Sequence, residues 1–356
     1  MTSRRRLLVL AITVLALCVT TGVQVVTPAP SLPARLSDRE FWRLVTESSE
    51  PDGYFRSDNL LSNELGFQYV IPELARMARP GRIYMGVGPE QNFTYIAATR
   101  PAMVFIVDVR RGNLDLHLMY KALFELSADR AEFVSRLFSK KRPDGLTSKS
   151  TAGDIFNAYA GVPASNLLFN DNLKAINHLL IARHGLALSK DDIEGIRYVY
   201  NAFHAYGQGI QYSSTSSFGG SFQPDYAELM TAADLKGVAR SYLASEDHFR
   251  FLKDLEERNM LVPIVGNFGG TKAIRAVGRY LRERNAIVSA FYLSNVEQYL
   301  RQEGAWNKFC ANVATLPLDD TSTFIRSVRS PGSSAPGFGL ASELGSMMND
   351  IQRCRH

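Results

Sequence analysis

Arg82-Ile-Tyr-Met-Gly-Val-Gly-Pro-Glu90, followed by Met103-Val-Phe-Ile-Val-Asp108, decides the fold. The second stretch is a continuous apolar run with no alternation. Such runs belong to parallel strands covered by helices on both faces. The first is a shorter apolar run that breaks at Gly86 and Gly88, and Pro89 suits the first position of a helix. Glu90 to Thr99 then buries Phe93, Ile96 and Ala97 on one side. Leu116, Met119, Tyr120 and Leu123 repeat at i, i+3, i+4 and i+7, so a second helix follows the second strand.

Working outward, the same alternation resumes late in the chain. Val238–Leu243 is expected as a strand, with Ser245 capping a helix whose inner face is His248, Phe251, Leu252 and Leu255. Leu261–Val265 and Ala286–Tyr292 are further strands around an amphipathic helix, Thr271–Arg284, with Ile274, Val277 and Leu281 inward. Asn295–Arg301 is a short helix. Phe309–Thr315 and Thr323–Val328 are expected as a final strand pair, antiparallel because the five residues Leu316–Asp320 hold no helix. Ser330–Gly337 is a linker, and Leu340–Gln352 is expected as a terminal helix.

Residues 125–235 read as a mostly helical insertion, with helices at Ala128–Phe138 and Lys190–His204 and a polar, Gly-rich loop over Lys140–Asn172. Upstream, Asp38–Glu47 is helical, and Ser57-Asp58-Asn59 looks like a cap for a second helix ending before Arg79-Pro80-Gly81. The expected class is therefore α/β, a doubly wound Rossmann-like, mostly parallel sheet with an antiparallel last strand. The domain spans 37–330, and 331–356 is linker and tail.

The chain has 356 residues and a net charge of +5. Arg4, Arg5, Arg6 and Arg35 precede the first acid, Asp38. Without them 36 bases face 35 acids, so charge supports no nucleic-acid partner. Arg4–Arg6 is followed by Leu7–Val26, a run of 20 uncharged residues. At about 1.5 Å per residue it is long enough to span a membrane. An uncleaved anchor is expected, with a cleaved signal peptide as the alternative. The arginines hold the N-terminus in the cytoplasm and the domain outside it. Cys18, Cys310 and Cys354 are too dispersed for a disulfide framework or a Cys-rich zinc site, and the histidines form no zinc-binding pair.

Gly86, Asp108 and Asn267 each sit at the C-terminal end of an expected strand, and all such ends share one sheet edge. Gly86-x-Gly88 lets the backbone turn and approach a ligand, and Asp108, 20 residues after Gly88, can accept from ribose hydroxyls. Asn113 and Arg110–Arg111 flank Asp108. Tyr292, Ser294, Asn295 and Glu297 line the same edge, and Ser57–Asn59 with Asn63-Glu64 are placed to fold over it. The plainer reading is that the glycines form a tight turn while Asp108, Asn267 and Ser57 cap helices. A third glycine of the dinucleotide fingerprint would fall at Gln91, which disfavours a nicotinamide cofactor. Gly266–Lys272 superficially resembles a phosphate loop but lacks its Gly-Lys-Ser/Thr ending.

On these residues the chain resembles the class I S-adenosylmethionine-dependent methyltransferase superfamily. Gly86, Gly88 and Asp108 match its first two motifs, with Glu90 where a third glycine is usual. Gly86–Ala97, Phe105–Gly112 and Phe291–Gln298 look like an uncharacterised bacterial family of that fold, over roughly residues 40–330. The resemblance implies an S-adenosylmethionine site at Gly86, Gly88, Glu90, Asp108 and Asn113. It implies a substrate side at Asn267, Ser294 and Asn295, with methyl transfer to a small acceptor. The competing reading is a membrane-tethered binding or scaffold protein on that fold. A reporter fused after Arg35 is expected to be active outside the cytoplasm; activity confined to the cytoplasm overturns the topology.

Overall fold

The computed structural model describes residues 31–213, 223–329 and 340–354. The Leu7–Val26 run lies outside them. No helix among the described residues is long and apolar enough to cross a membrane.

Helix α1 (Asp38–Ser48) opens on a capping box between Ser37 and Glu40 and buries Phe41 and Val45. An irregular segment leads to α2 (Ile71–Met77). The core then runs β1 (Ile83–Gly86), α3 (Gln91–Thr99), β2 (Met103–Asp108) and α4 (Arg111–Leu126). Between α4 and the next strand come α5 (Arg130–Leu137), α6 (Ala152–Ala160), α7 (Asn166–Asn177), α8 (Lys190–Tyr206), α9 (Tyr226–Thr231) and α10 (Glu246–Glu257). The sheet resumes with β3 (Leu261–Val265), α11 (Ala273–Arg282), β4 (Val288–Ser294), α12 (Val296–Gln302) and α13 (Trp306–Val313). It ends with β5 (Thr323–Arg329), β6 (Leu340–Ser346) and α14 (Met347–Arg353).

The six strands among the described residues lie in the order β3-β2-β1-β4-β5-β6. All neighbours are parallel except β5 and β6. Every residue of β1, β2 and β3 is buried, as a parallel sheet covered on both faces requires. The chain travels from β1 through β2 to β3, then returns to β4 on the other side of β1. The direction of winding therefore reverses between β1 and β4, and a crevice opens outside the C-terminal ends of those strands.

Several expected elements are different. Val238–Leu243 is not a strand: Asp234 accepts from the amides of Lys236 and Val238, Gln68 from that of Arg240 and Thr94 from that of Tyr242. Side chains there do the work of a ladder. Phe309–Thr315 falls mostly in helix α13, which buries Phe309, Cys310 and Val313. Short apolar runs suit either period, and here helical spacing wins. β5 therefore pairs in parallel with β4, and its antiparallel partner comes from Leu340–Ser346, expected as helix. Ser346 accepts from the Asn349 amide and starts α14 only there. The polar stretch 140–172 holds α6 and the start of α7, each with its own N-cap, Thr151 and Ser165. Ser57 caps no helix, and the inner face of α10 is Phe249, Leu252, Leu255 and Glu256.

The dispersed cysteines also mislead. Cys310 on α13 and Cys354 after α14 form a disulfide with Cα atoms 6.0 Å apart, because β6 and α14 bring the chain back beside α13. The bond closes a loop with a sequence separation of 44 and so restricts the unfolded chain. Reduction, or Cys310→Ser, is expected to lower unfolding free energy by about 2–4 kcal/mol in denaturant titrations. Identical curves with and without reductant would remove the bond from the account of stability.

Candidate active site

A cleft of about 250 Å³ opens at the reversal point. Gly88 after β1, Asp108 at the end of β2, Asn267 after β3 and Ser294–Asn295 at the end of β4 all line it. Its outer wall is the irregular segment between α1 and α2, including Tyr54, Arg56, Asn59 and Asn63-Glu64. The polar cluster before the first strand thus does fold over the strand ends.

The β1–α3 loop is held from behind. Asn92 donates to the carbonyls of Val87 (2.9 Å), Gly88 (3.3 Å) and Pro89 (2.7 Å), and Tyr84 donates to Asn92 Oδ1 at 2.9 Å. His117 Nε2 lies 2.9 Å from the Gly88 carbonyl. Gly86 is required because a Cβ there would strike the Asn92 amide. Gly88 has φ +76°, a conformation other residues resist, and a Cβ there would meet nothing within 4 Å. One glycine serves the packing of the loop, the other its open face.

Asp108 is buried and paired. Its Oδ1 accepts from the Arg110 amide at 2.9 Å, and its Oδ2 from Arg110 Nη2 at 3.2 Å. Arg110 also donates to the Asp58 carbonyl, tying β2 to the outer wall. Asn113 is buried in the first turn of α4 and Glu90 beneath the loop; neither lines the cleft. The Glu90 Oε1 accepts from the Ser62 amide at 3.2 Å, and burial pushes its carboxyl up to about 8. Asn267 Oδ1 accepts from the Gly269 amide at 2.8 Å, making the tight turn that the plainer reading describes.

Two features carried no sequence signal, and a third joins residues that were singled out separately. The first is a strap over residues 49–53. Glu50 accepts from the amides of Asn267 (2.9 Å), Lys272 (2.8 Å) and Ala273 (3.1 Å), filling the loop that resembles a phosphate cradle. Asp52 accepts from the Arg111 amide at 2.7 Å, at the start of α4. Both carboxylates sit on helix N-termini, where backbone amides and the helix dipole favour negative charge. The network around Glu64 is the one that joins them. Its Oε1 accepts from Tyr292 Oη (2.8 Å) and Ser294 Oγ (2.7 Å), and its Oε2 from Gln91 Nε2 (2.9 Å). Ser62 donates in turn to Gln91. The second without a signal is the pair of loop clamps, Asn92 and His117.

A family model described as a domain of unknown function, DUF7790, matches residues 60–349. The chain belongs to that family. No curated protein matches it. The family match includes Glu64, Gly88, Asp108 and Ser294, whereas the strap carrying Glu50 and Asp52 precedes it.

Buried titratable groups give the chain a defined pH response. Burial pushes Glu90, Asp115 and Glu256 up to about 8 each, above their ordinary 4.5, 3.8 and 4.5. The folded chain keeps protons there that the unfolded chain releases, so stability falls as pH rises from about 4 to 8. His184 adds the same sign: hydrogen bonding to Glu125 raises it, so its contribution is lost as pH climbs through the raised value. His117 opposes them on the acid side, since burial lowers it to about 4 and stability is lost as pH falls below about 6.5. Melting temperature is expected to be higher at pH 6 than at pH 9, with a shallower slope for Glu256→Gln. A melting temperature that rises from pH 6 to 9 contradicts this assignment.

Proposed function

We propose that the cleft binds an adenosine-bearing cofactor of the S-adenosylmethionine type and that the domain transfers its methyl group to a small acceptor. The observation that carries this reading is the meeting of Gly88, with its open left-handed backbone, and Asp108 in one cleft at the reversal between β1 and β4. The sheet order β3-β2-β1-β4-β5 with an antiparallel edge strand supports the methyltransferase resemblance.

The residues present fit such a group. Gly88 gives the amino-acid part a close approach to backbone. Asp108 retains lone pairs beyond those Arg110 uses, for accepting from ribose hydroxyls. Ser294 at the end of β4 and Asn295 just after it line the cleft and suit the acceptor side. Asp52 and Glu50 close the α4 and α11 N-termini to further anions, and Gln91 at the place of the third fingerprint glycine, at the start of α3, disfavours a dinucleotide pyrophosphate. Bound there, the cofactor would supply an electrophilic methyl on a cationic sulfur. The chain's part in an in-line displacement is chiefly to orient the reactants and exclude water.

A second reading, ligand binding without turnover in a membrane-tethered or secreted protein, draws on the Cys310–Cys354 disulfide. Disulfides persist in oxidising compartments, and with the Leu7–Val26 run this one supports a domain outside the cytoplasm, away from the expected cofactor supply.

Calorimetric titration of residues 37–356 with S-adenosylmethionine, S-adenosylhomocysteine and NAD tests the assignment. Binding of the first two and not the third is expected. Asp108→Asn should weaken that binding roughly 5–150-fold, the equivalent of about 1–3 kcal/mol for a badly paired group. Unchanged affinity with a lowered melting temperature leaves Asp108 a structural residue. Bound cofactor with no methyl transfer to any acceptor favours the second reading.

A further inference from the structure

Glu64 is a buried carboxylate at the cleft whose described partners are all neutral. It is 2% exposed and accepts from a phenol, a hydroxyl and an amide, those of Tyr292, Ser294 and Gln91. No Lys or Arg forms an ion pair with it among the described residues. Asp108, the other buried carboxylate of the cleft, has its cation in Arg110, whose Nε lies 3.2 Å from Oδ1. Buried carboxylates are ordinarily matched by a positive charge, because three neutral hydrogen bonds offset desolvation only in part. A carboxylate has about four acceptor sites, and three of Glu64's are used.

The donors also fix where that carboxylate points. Gln91 is held through its own amide by Ser62 and lies 3.0 Å from Tyr95 Oη, and the Tyr95 and Tyr292 rings pack 5.2 Å apart. Glu64 is therefore braced from α3 and β4 at once. Ser62, Gln91, Tyr292 and Ser294 line the cleft with it. A site so braced, negative and lacking an internal cation is complementary to a positive group on the ligand.

We infer that Glu64, positioned by Gln91, Tyr292 and Ser294, is the receptor for a cationic group of the ligand, an ammonium or a sulfonium. This rests on the adenosine-cofactor reading above and adds the part of the cofactor it recognises. The three probes are S-adenosylmethionine with both cations, S-adenosylhomocysteine with the ammonium alone, and 5′-methylthioadenosine with neither. The wild type should bind the first at least about tenfold more tightly than the third, and Glu64→Gln should erase that gap while leaving the third unchanged. Homocysteine-form affinity that falls with Glu64→Gln identifies the ammonium as the partner; a loss confined to the methionine form identifies the sulfonium.

The wild-type ranking needs no variant, so the inference stays testable even where Glu64→Gln unfolds. Equal wild-type affinity for all three probes overturns the role of Glu64 and leaves the adenosine reading standing. So does an unaltered gap in a folded Glu64→Gln variant. Failure of the wild type to bind any of the three overturns the adenosine reading itself, and the inference with it.

Discussion

The parallel core can exist only if both faces of its strands are dry. Four strands with almost no polar side chain, packed between helices, leave the strand ends as the only places where the sheet can present chemistry. Asp108 and Ser294 are the last residues of β2 and β4, and Gly88 follows β1 by two. The cleft is where it is because the strands could not carry such groups earlier without burying them unpaired. The reversal of winding between β1 and β4 then separates the flanking loops and makes room for a ligand.

The same edge gathers the N-termini of α3, α4 and α11, each with backbone amides that attract anions. The chain answers two of them with its own carboxylates. Glu50 and Asp52 belong to one strap, which also donates from the Glu50 amide to the Val265 carbonyl and from the Gly53 amide to that of Val109. It thereby stitches the ends of β3 and β2 together while satisfying α11 and α4. Electrostatically the edge is half-neutralised before any ligand arrives, and Glu64 tilts the remainder toward positive partners.

The strongly periodic or wholly apolar elements were legible in the sequence. Met103–Val107, Leu261–Val265 and Thr271–Arg284 needed only their own residues to be read, and so did the gathering of Gly88, Asp108, Ser294 and Asn295 on one edge. Phe309–Val313 was not, since five apolar-rich residues satisfy a strand or a helical face equally, and its packing against α11 decides. Leu340–Ser346 depends on a partner strand for its conformation. Glu50 and Asp52 were illegible because their meaning lies 217 and 59 residues away, at Asn267 and Arg111. Glu64 was placed near the strand ends, yet the three donors that hold it come from α3 and β4. Glu90 and Asn113 were named from motif position, and position in sequence does not tell which way a side chain turns from a loop.

The Cys310–Cys354 bond has a consequence for the order in which the fold can come apart. β6 is an edge strand held by one neighbour, the kind of element that ordinarily frays first and exposes a template for aggregation. Its following helix is bolted to α13, which packs against α11 on the body of the domain. The far end of β6 cannot drift away even when its ladder opens, so each opening recloses against a tethered partner. What would have been the molecule's zipper pull becomes part of its hem, and local openings at that border are shortened by the tether.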